Sequence, residues 1–397
     1  KKLLLWVSLS YSLSFLLYFK YANFFIHNFN SIFGTQFTDH NLFLPIGISF
    51  YTFQSISYLM DVYRNEIPAS KNVSDYAFYM TFFPHLVAGP IVRAKDFLPQ
   101  IVSPQPINAA LYKESLLRIM SGLLKKLFIA DYIGKYVDIV HELPQNFSGA
   151  ENLLAMYGYS FQIYFDFSGY SDMAIGISKL FGLELLRNFN YPYFSRDIAE
   201  FWRRWHISLS SWFRDYVYIP LGGSQGGKWM QLRNVFAIFI LSGFWHGANY
   251  TYLFWGFLNA LYFLPLLWQQ KNRANLENSK VPWNLNGLRI VLNILATFLL
   301  TCIAWVFFRA KSMEAAWDYL LRIFTNGHWS AEFLSNRRYN FELLSLLLFF
   351  VAVEWHNRNQ MQPISGKYAW LKLGLCFAAL LALGTYTDYK SFIYFQF

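Results

Sequence analysis

The sequence of 397 residues has few charged residues and almost no cysteine. Asp, Glu, Lys and Arg make up 14% of the chain, whereas a soluble domain carries about 25%. The two cysteines, Cys302 and Cys376, each lie in a separate apolar run, so they indicate small core residues and neither a disulfide framework nor a metal motif. The composition therefore excludes an ordinary soluble domain and a disulfide-rich scaffold.

Common catalytic motifs are also absent from the sequence. It has no GxSxG elbow, no HExxH sequence and no paired cysteines, and no two of its eight histidines stand at helical metal-ligand spacing. We therefore expect no metal site and no bound cofactor. No secretory signal pattern precedes the first apolar run, and because the chain starts at Lys1 rather than Met, we expect the natural N-terminus to lie upstream.

Long apolar runs are abundant instead, in a chain that is 55% hydrophobic and 21% aromatic. The clearest runs are Leu3–Phe19, Leu42–Met60 and Ile290–Phe308. At about 1.5 Å of rise per residue, a helix over the last of these crosses the hydrocarbon layer of roughly 30 Å. The pattern predicts an all-α, polytopic transmembrane protein in which residues 1–397 form one membrane domain with about ten membrane-embedded helices.

One apolar segment, Tyr76–Val92, is interrupted by Pro84, Gly89 and Pro90. Non-helical backbone at membrane depth must be buried in protein or line a cavity. The segment is therefore interpreted as a re-entrant or broken helix.

Other segments have clear local patterns. Apolar residues at steps of three and four predict one continuous amphipathic helix over Asp197–Tyr216. The glycines of Ile219–Lys228 do not match P-loop spacing, which favours a flexible re-entrant loop. The last spans, Leu343–Val353 and Tyr368–Leu383, are short, so tilt or polar flanks must complete them.

The formal net charge is +10. In a membrane protein, basic residues flank the spans and mark the cytoplasmic loops. The clusters in Lys113–Lys135, Arg187–Arg214 and Lys271–Lys280 fit that pattern. We therefore expect no nucleic-acid partner. A basic cytoplasmic surface also suits an anionic cosubstrate such as a nucleotide-bearing thioester.

Two histidines are candidates for chemistry. His246 ends the apolar run Val235–Trp245, and His206 lies in a segment dense in arginine and tryptophan, 246 − 206 = 40 residues earlier. An ionisable side chain in a membrane-length apolar run is costly and marks a functional site. Imidazole is the natural general base for a hydroxyl that attacks an activated acyl group. A third histidine, His85, is interpreted as a structural residue beside the chain break.

Two further features each allow two interpretations. Asp166 and Asp172 are six residues apart and do not share a helix face, so they are not a simple acid/base pair. One of them could orient a histidine, but a structural role is favoured for each. The aromatic tail, defined as Ser391–Phe397, is either an interfacial anchor or a segment held in the protein body, where Tyr394 offers a hydroxyl.

Three stretches of the sequence resemble the membrane-bound O-acyltransferase (MBOAT) family. They are WRRWHISLSSWFRDYVYIPLGG, LSGFWHGANYTYLFWG and FFPHLVAGPIVR. The resemblance is strongest to its bacterial branch of alginate, cellulose and peptidoglycan O-acetyltransferases and the D-alanyl transferase of teichoic acids. It covers nearly the whole chain, although such proteins usually carry further N-terminal spans. It implies a helical shell with a central tunnel, in which His246 would match the catalytic histidine and His206 the second one.

The resemblance also implies substrates and partners. Acetyl-CoA would enter from the cytosol against basic groups such as Arg203 and Arg204, and Trp205, Asn249 and Asp166 would complete the substrate site. The tail tyrosine, Tyr394, would carry the acyl group to an extracytoplasmic SGNH-type transferase. That partner would acetylate a polysaccharide such as alginate, cellulose or peptidoglycan. The protein would then be a multi-pass protein of the bacterial cytoplasmic (inner) membrane, in contact with membrane lipid.

Three alternatives stay open on the sequence. A lipid or protein O-acyltransferase would share the family and differ in the acceptor, although the tail argues against it. A polytopic transporter would also have polar residues at mid-membrane, but it predicts weak internal repeats, and none is found. A structural scaffold would tolerate the loss of both His206 and His246.

Overall fold

The computed structural model describes residues 1–276, 284–327, 338–359, 368–383 and 392–393, and every regular element among them is helical. These α-helices are α1 (Lys2–Leu16), α2 (Ala22–Phe33), α3 (Ile48–Tyr63), α4 (Val73–Thr81), α5 (Phe83–Leu86), α6 (Ala94–Val102), α7 (Ala109–Leu123), α8 (Asp131–Glu142), α9 (Gly149–Leu180), α10 (Ile198–Arg204), α11 (Ile207–Phe213), α12 (Lys228–His246), α13 (Tyr250–Trp268), α14 (Leu285–Arg309), α15 (Met313–Thr325), α16 (Arg338–Asn357) and α17 (Ala369–Leu383). Short π-helical turns cover Leu17–Tyr21, Leu124–Ala130 and Arg214–Tyr218.

Among the described residues, three helical stretches are long and apolar enough to cross a membrane: Lys2–Phe33, Tyr250–Trp268 and Leu285–Arg309. The first joins α1 and α2 through a π-helical turn. The first and third stretches contain the expected spans Leu3–Phe19 and Ile290–Phe308, whereas the expected span Leu42–Met60 is not among the three. The protein is membrane-integral. The other described helices are shorter or less apolar than this standard requires, so the expected number of about ten embedded helices is not reached by length and composition alone.

Helix α9 is the centre of the fold. It runs for 32 residues and begins at a capping box, in which the Ser148 hydroxyl accepts from the Glu151 backbone N–H and the Glu151 carboxylate accepts from the Ser148 N–H. Most of its side chains are buried under α7, α8, α14, α15 and α16. Where it crosses α7, Gly169 faces Gly122, and a Cβ on Gly169 would lie 2.8 Å from the Gly122 carbonyl oxygen. Two glycines therefore permit the closest approach of these helices.

The continuous helix expected over Asp197–Tyr216 is wrong. Helix α10 ends at Arg204, His206 has a left-handed backbone with φ of 43°, and α11 then begins. The freed backbone groups pair with the preceding loop: the Asn190 N–H donates to the Arg204 carbonyl, and the Ile207 N–H donates to the Asn188 carbonyl, each at 2.9 Å. The apolar periodicity fits two short helices as well as one long one, and only these distant partners decide between them.

The chain break expected in Tyr76–Val92 is confirmed. Helix α4 ends at Thr81, the four-residue α5 follows, and the backbone then bends at residues 87–89 and continues without regular structure to Arg93. The Ile91 N–H of this irregular part donates to the Ser208 hydroxyl of α11 at 2.9 Å. The broken segment is thus buried against protein and hydrogen-bonded there, as its backbone requires.

Two other boundaries differ from the expectation. Helix α3 begins only at Ile48, after a turn through Pro45 in which Gly47 has φ of 75°. A side chain on Gly47 would clash with the Leu86 carbonyl, so only glycine fits this turn. The span expected over Leu343–Val353 is longer than predicted, because it lies inside the 20-residue α16.

Candidate functional site

His246 is the last residue of α12 and is almost completely buried, with 5% of its surface exposed. Its ring lies edge-on to three aromatic rings: Trp245 at 4.8 Å between centroids, Trp255 at 5.2 Å and Phe308 at 5.0 Å. These rings come from α12, α13 and α14. The imidazole therefore sits in an apolar enclosure formed by three helices, two of which are candidate membrane spans.

The C-terminal end of α12 is held by the first helical stretch. The Lys20 ammonium donates to the carbonyl of Trp245 at 2.7 Å and to that of His246 at 3.1 Å. The Tyr21 hydroxyl donates to the Phe244 carbonyl at 2.8 Å. Terminal carbonyls of a helix have no partner within it, and a cation there is favourable to the helix dipole. Lys20 and Tyr21 thus fix the backbone that carries the imidazole.

Sequence patterns did not indicate this role for Lys20 and Tyr21. The one available signal is a lysine inside a helical stretch of 32 residues that is otherwise apolar enough to span a membrane. Such a lysine needs a buried partner, but the sequence does not say that the partner lies 225 residues away, at Trp245.

His206 lies in the break between α10 and α11 and is 1% exposed. Its ring is perpendicular to that of Phe167 at 4.7 Å, and its Nδ1 lies 3.4 Å from the side-chain oxygen of Asn188. The same oxygen accepts from the Ser208 N–H at 3.2 Å and hydroxyl at 2.7 Å. Asn188 therefore organises the first turn of α11 and one edge of the imidazole.

The fold brings the two histidines together at one indole ring. Trp245 lies 6.4 Å from the His206 ring and 4.8 Å from the His246 ring, measured between centroids. The two imidazoles also interact electrostatically. A separation of 40 residues in the sequence is thus closed where the break at His206 lies beside Trp245, near the end of α12.

The neighbouring candidates Arg203, Arg204 and Trp205 all contact other parts of the protein. Trp205 is 2% exposed and packs on Trp305 at 4.9 Å. Arg204 is buried and pairs with the Glu200 carboxylate at 2.6 Å. Arg203 donates to the carbonyls of Asn272 and Asn275 at 2.9 and 3.0 Å. These contacts position the loop and the helix. A role in binding the donor substrate stays a prediction for all three.

Asn249 occupies the turn between α12 and α13. Its side chain accepts from the Thr251 N–H at 3.0 Å as the N-cap of α13, and it donates to the Lys311 carbonyl at 3.0 Å. It also lines a small open cavity of about 260 Å³ together with Lys20 and Tyr252. The residue is therefore close to the histidine end of α12 and fixes the turn that follows it.

A cavity of about 620 Å³, here called the wide cavity, lies beside the N-terminal half of α9. Its wall comes mainly from the π-helical turn Leu124–Ala130 and from α8, α9, α14 and α15. Many of its side chains are ionisable or carry an amide, among them Lys126, Asp131, Asp138, His141, Glu142, Gln162, Asp166, Arg309, Lys311 and Asp318. Arg309 pairs with Asp138 at 2.6 Å. Phe308, the residue before Arg309, contacts His246, so the end of α14 connects the histidine site with this cavity.

The second cavity, of about 190 Å³, is called the narrow cavity and lies beside the C-terminal half of α9. Its wall includes the basic residues Lys125 and Arg187 and the acidic residues Asp172 and Glu354. Asn188, the residue that contacts His206, also belongs to the wall. The narrow cavity therefore approaches the histidine pair from the His206 side.

The two aspartates of α9 take part in separate ion pairs. Asp166 pairs with Lys126 at 2.7 Å in the wide cavity, and Asp172 pairs with Lys125 at 2.8 Å in the narrow one. This agrees with the structural role favoured for each carboxylate. Participation of Asp166 in substrate binding stays a prediction.

Tyr394 lies outside the described residues, but the two residues before it are described. Ile393 is 7% exposed and lines the wide cavity, and its backbone N–H donates to Asp166 at 2.7 Å. The Phe392 ring is edge-on to Tyr170 at 5.0 Å. Residues 392 and 393 are therefore held in the protein body.

A cluster of charges supports the segment after α11. Asp215 pairs with Arg93 at 2.6 Å and with the adjacent Arg214. Burial alone would raise the pKa of the Asp215 carboxyl, but hydrogen bonds and charge from Arg214 and Arg93 outweigh burial and hold this pKa below its ordinary value. The ion pair of Arg93 with Asp215 joins the chain just after the broken segment to the π-helical turn that follows α11.

Comparison with known proteins gives consistent matches. The model of a family described as MBOAT, membrane-bound O-acyltransferase family, matches residues 3–308. The sequence is 42% identical over 357 residues to the probable alginate O-acetylase AlgI of Pseudomonas aeruginosa, covering 88% of this chain and 66% of that protein. It is 38% identical over 342 residues to the peptidoglycan O-acetyltransferase of Helicobacter pylori, covering 80% and 63%. It is 32% identical over 284 residues to the teichoic acid D-alanyltransferase of Bacillus subtilis, covering 68% and 70%. The chain thus matches just under two thirds of the length of the first two relatives.

Proposed function

The chain belongs to the membrane-bound O-acyltransferase family, and from that premise we propose that it moves an acetyl group from cytosolic acetyl-CoA across the membrane for O-acetylation of an extracytoplasmic polysaccharide. The names of two relatives, an alginate O-acetylase and a peptidoglycan O-acetyltransferase, support the reaction and the class of acceptor. The observation that carries the proposal is the burial of His206 and His246 beside the same indole ring, that of Trp245.

His246 is the proposed general base. Its imidazole takes the proton from an acceptor hydroxyl, and the hydroxyl oxygen attacks the thioester carbonyl carbon of acetyl-CoA. A C–O bond forms, the C–S bond breaks, and the proton passes from the imidazolium to the departing CoA thiolate. Lys20 keeps the end of α12 in place during this exchange. His206, beside the same indole, orients the site.

The distribution of basic residues supports an orientation for the two cavities. Lys271, Arg273 and Lys280 precede α14, which favours the cytosol for its N-terminal end. The wide cavity lies at the opposite end of α14, at Arg309, so we assign it to the extracytoplasmic side. The narrow cavity contains the cations Lys125 and Arg187 in its wall, next to Asn188, which contacts His206, and we assign it to the donor. Arg203 and Arg204 belong to the same basic region.

The tail is the proposed route of the acetyl group to the acceptor. Tyr394 would accept the group at its phenolic oxygen and pass it to an SGNH-type transferase outside the inner membrane. The support for this step is the placement of Ile393 in the wall of the wide cavity. A lipid or protein hydroxyl as the final acceptor is an outcome of the same experiment.

The experiment measures transfer from radiolabelled acetyl-CoA in membranes that contain the full-length protein and its partner. Wild type and His27→Ala, an exposed histidine paired with Asp39, should label polysaccharide equally. His246→Ala should label nothing while it is present in the membrane in the same amount. Equal label in His246→Ala would remove this histidine from the chemistry. Label in lipid or protein alone would change the acceptor, and no label in wild type would reject acetyl-CoA as donor.

A further inference from the structure

We propose that Lys126, Asp131 and Asp166 form a seat that fixes the tail in the wide cavity. The seat acts on the backbone at Ile393 and thereby limits the position of Tyr394, so the three residues are positioning residues. The functional consequence rests on the proposed role of the tail as acyl carrier. The existence of the seat does not depend on that role.

The seat is a buried group of three charges. Lys126 is 5% exposed, Asp131 1% and Asp166 2%. The lysine ammonium lies 2.8 Å from one Asp131 oxygen and 2.7 Å from one Asp166 oxygen. Burial of such groups costs several kcal/mol for each ion unless hydrogen bonds compensate it. Hydrogen bonds from the surroundings therefore favour the buried group.

Ile393 supplies one such hydrogen bond. The second carboxylate oxygen of Asp166 accepts the backbone N–H of Ile393 at 2.7 Å. The Lys126 ammonium also lies 4.6 Å from the centre of the Phe392 ring, a cation–π distance. Two consecutive tail residues therefore contact the same ion group, one through its backbone and one through its ring.

This contact has a geometric consequence for the next residue. Consecutive Cα atoms are about 3.8 Å apart, so a seat that holds the Ile393 backbone limits how far the next residue of the chain can move from α9. A backbone hydrogen bond sets this position without depending on the side chain at 393. The seat is thus suited to holding a carrier residue at a fixed distance from α9.

The local structure explains how Lys126 reaches α9. It lies in the π-helical turn Leu124–Ala130, next to the close crossing at Gly122 and Gly169. The widened turn directs both Lys125 and Lys126 at carboxylates of α9, and π-helical turns are frequent at functional sites. The pair of Lys125 with Asp172 has the same chemistry within the described residues and contacts neither Phe392 nor Ile393. It provides a matched control.

The test measures the accessibility of the tail in the full-length protein. Gln396→Cys is introduced after Cys302 and Cys376 are replaced by alanine, and its rate of labelling by a membrane-impermeant maleimide is followed. Asp166→Leu and Ile393→Pro, which remove the acceptor and the donor of one hydrogen bond, should each raise the rate about tenfold. Asp172→Leu and Ile393→Ala, which leave that hydrogen bond intact, should not.

Acetyl transfer is measured on the same variants. Ile393→Pro should lower kcat without changing the KM for acetyl-CoA, because it alters none of the residues proposed to bind the donor. Unchanged labelling in Ile393→Pro would overturn the seat. This variant leaves the three buried charges in place, so it tests the seat even if Asp166→Leu fails to fold. Raised labelling with normal transfer would confirm the seat and reject the tail as carrier, which separates the two proposals.

Discussion

The two histidines of the site are held by different means. His246 ends a regular helix of 19 residues, and the groups that fix it, Lys20 and Tyr21, bind the backbone of that helix end. His206 lies in a left-handed break between two short helices and is fixed by the loop residue Asn188. The difference shows that one site combines a base on a rigid helix with a second imidazole whose position depends on loop hydrogen bonds.

The largest effect should follow from removing each imidazole in turn. His246→Ala should lower transfer by about 10²–10⁴-fold, which is the usual contribution of general base catalysis. His206→Ala should lower it by about 10- to 100-fold, because the proposed base is still present. Initial rates of transfer from labelled acetyl-CoA check both values. A greater loss in His206→Ala than in His246→Ala would reverse the assignment of roles.

The next largest effects should come from removing Asn188 and Lys20, the residues that support His206 and His246. Asn188→Ala breaks the contacts to Ser208 and to His206, and we expect a loss of about 2 kcal/mol in the free energy of unfolding, because buried polar groups lose their partners. Detergent-solubilised protein, unfolded by heat, provides the measurement. The expected change in transfer resembles that of His206→Ala. A normal rate would show that the loop does not control this imidazole.

Lys20→Met should act on the other histidine. It removes the cation at the end of α12, so we expect a loss of about 1 kcal/mol in stability and a several-fold decrease in kcat. Lys20→Arg retains the charge and should restore part of the rate. If the supports are independent, the free-energy effects of Lys20→Met and Asn188→Ala add in the double variant. A deviation beyond about 0.5 kcal/mol would show coupling through Trp245.

The smallest effect should come from the charge cluster after α11. The pKa of Asp215 is lower in the folded protein, so its contribution to stability is present above its unfolded pKa of about 3.9 and is lost as pH falls towards the folded value. Asp215→Asn should therefore be less stable than wild type at pH 6 by about 1 kcal/mol, and the difference should shrink below pH 4. Thermal unfolding at a series of pH values checks this. A constant difference would show that the carboxylate charge is not involved.

Much of the fold could be predicted from local patterns. Apolar length predicted the spans over Leu3–Phe19 and Ile290–Phe308, and Pro84 with Gly89 predicted the chain break, because these features depend on neighbouring residues. The helix expected over Asp197–Tyr216 failed because its interruption is stabilised by Asn188 and Asn190, which lie outside it. Spacing of apolar residues cannot reveal a partner elsewhere in the chain.

The candidate site shows the same limit. His246 could be identified as a buried ionisable residue, and its connection with His206 came from the family resemblance, since nothing local joins residues 40 apart. Lys20 and the seat residues Lys126 and Asp131 were missed as parts of the site. Lys20 binds the Trp245 carbonyl, and Lys126 joins Asp131 to Asp166 of α9, which in turn accepts the Ile393 N–H; these contacts exist only after distant segments pack.

The contacts of Lys20 and Tyr21 with the end of α12 limit which parts of the protein could be exchanged between relatives. A fragment of the chain from α9 to α14 would contain both imidazoles and the shared indole, yet it would lack Lys20 and Tyr21. Those residues belong to the first helical stretch, and their bonds are to main-chain oxygens. An exchange of helices among relatives would therefore have to transfer the first stretch and the histidine helix together, as one inherited unit. A chimera that divides them should retain every catalytic side chain and lose the alignment of its base.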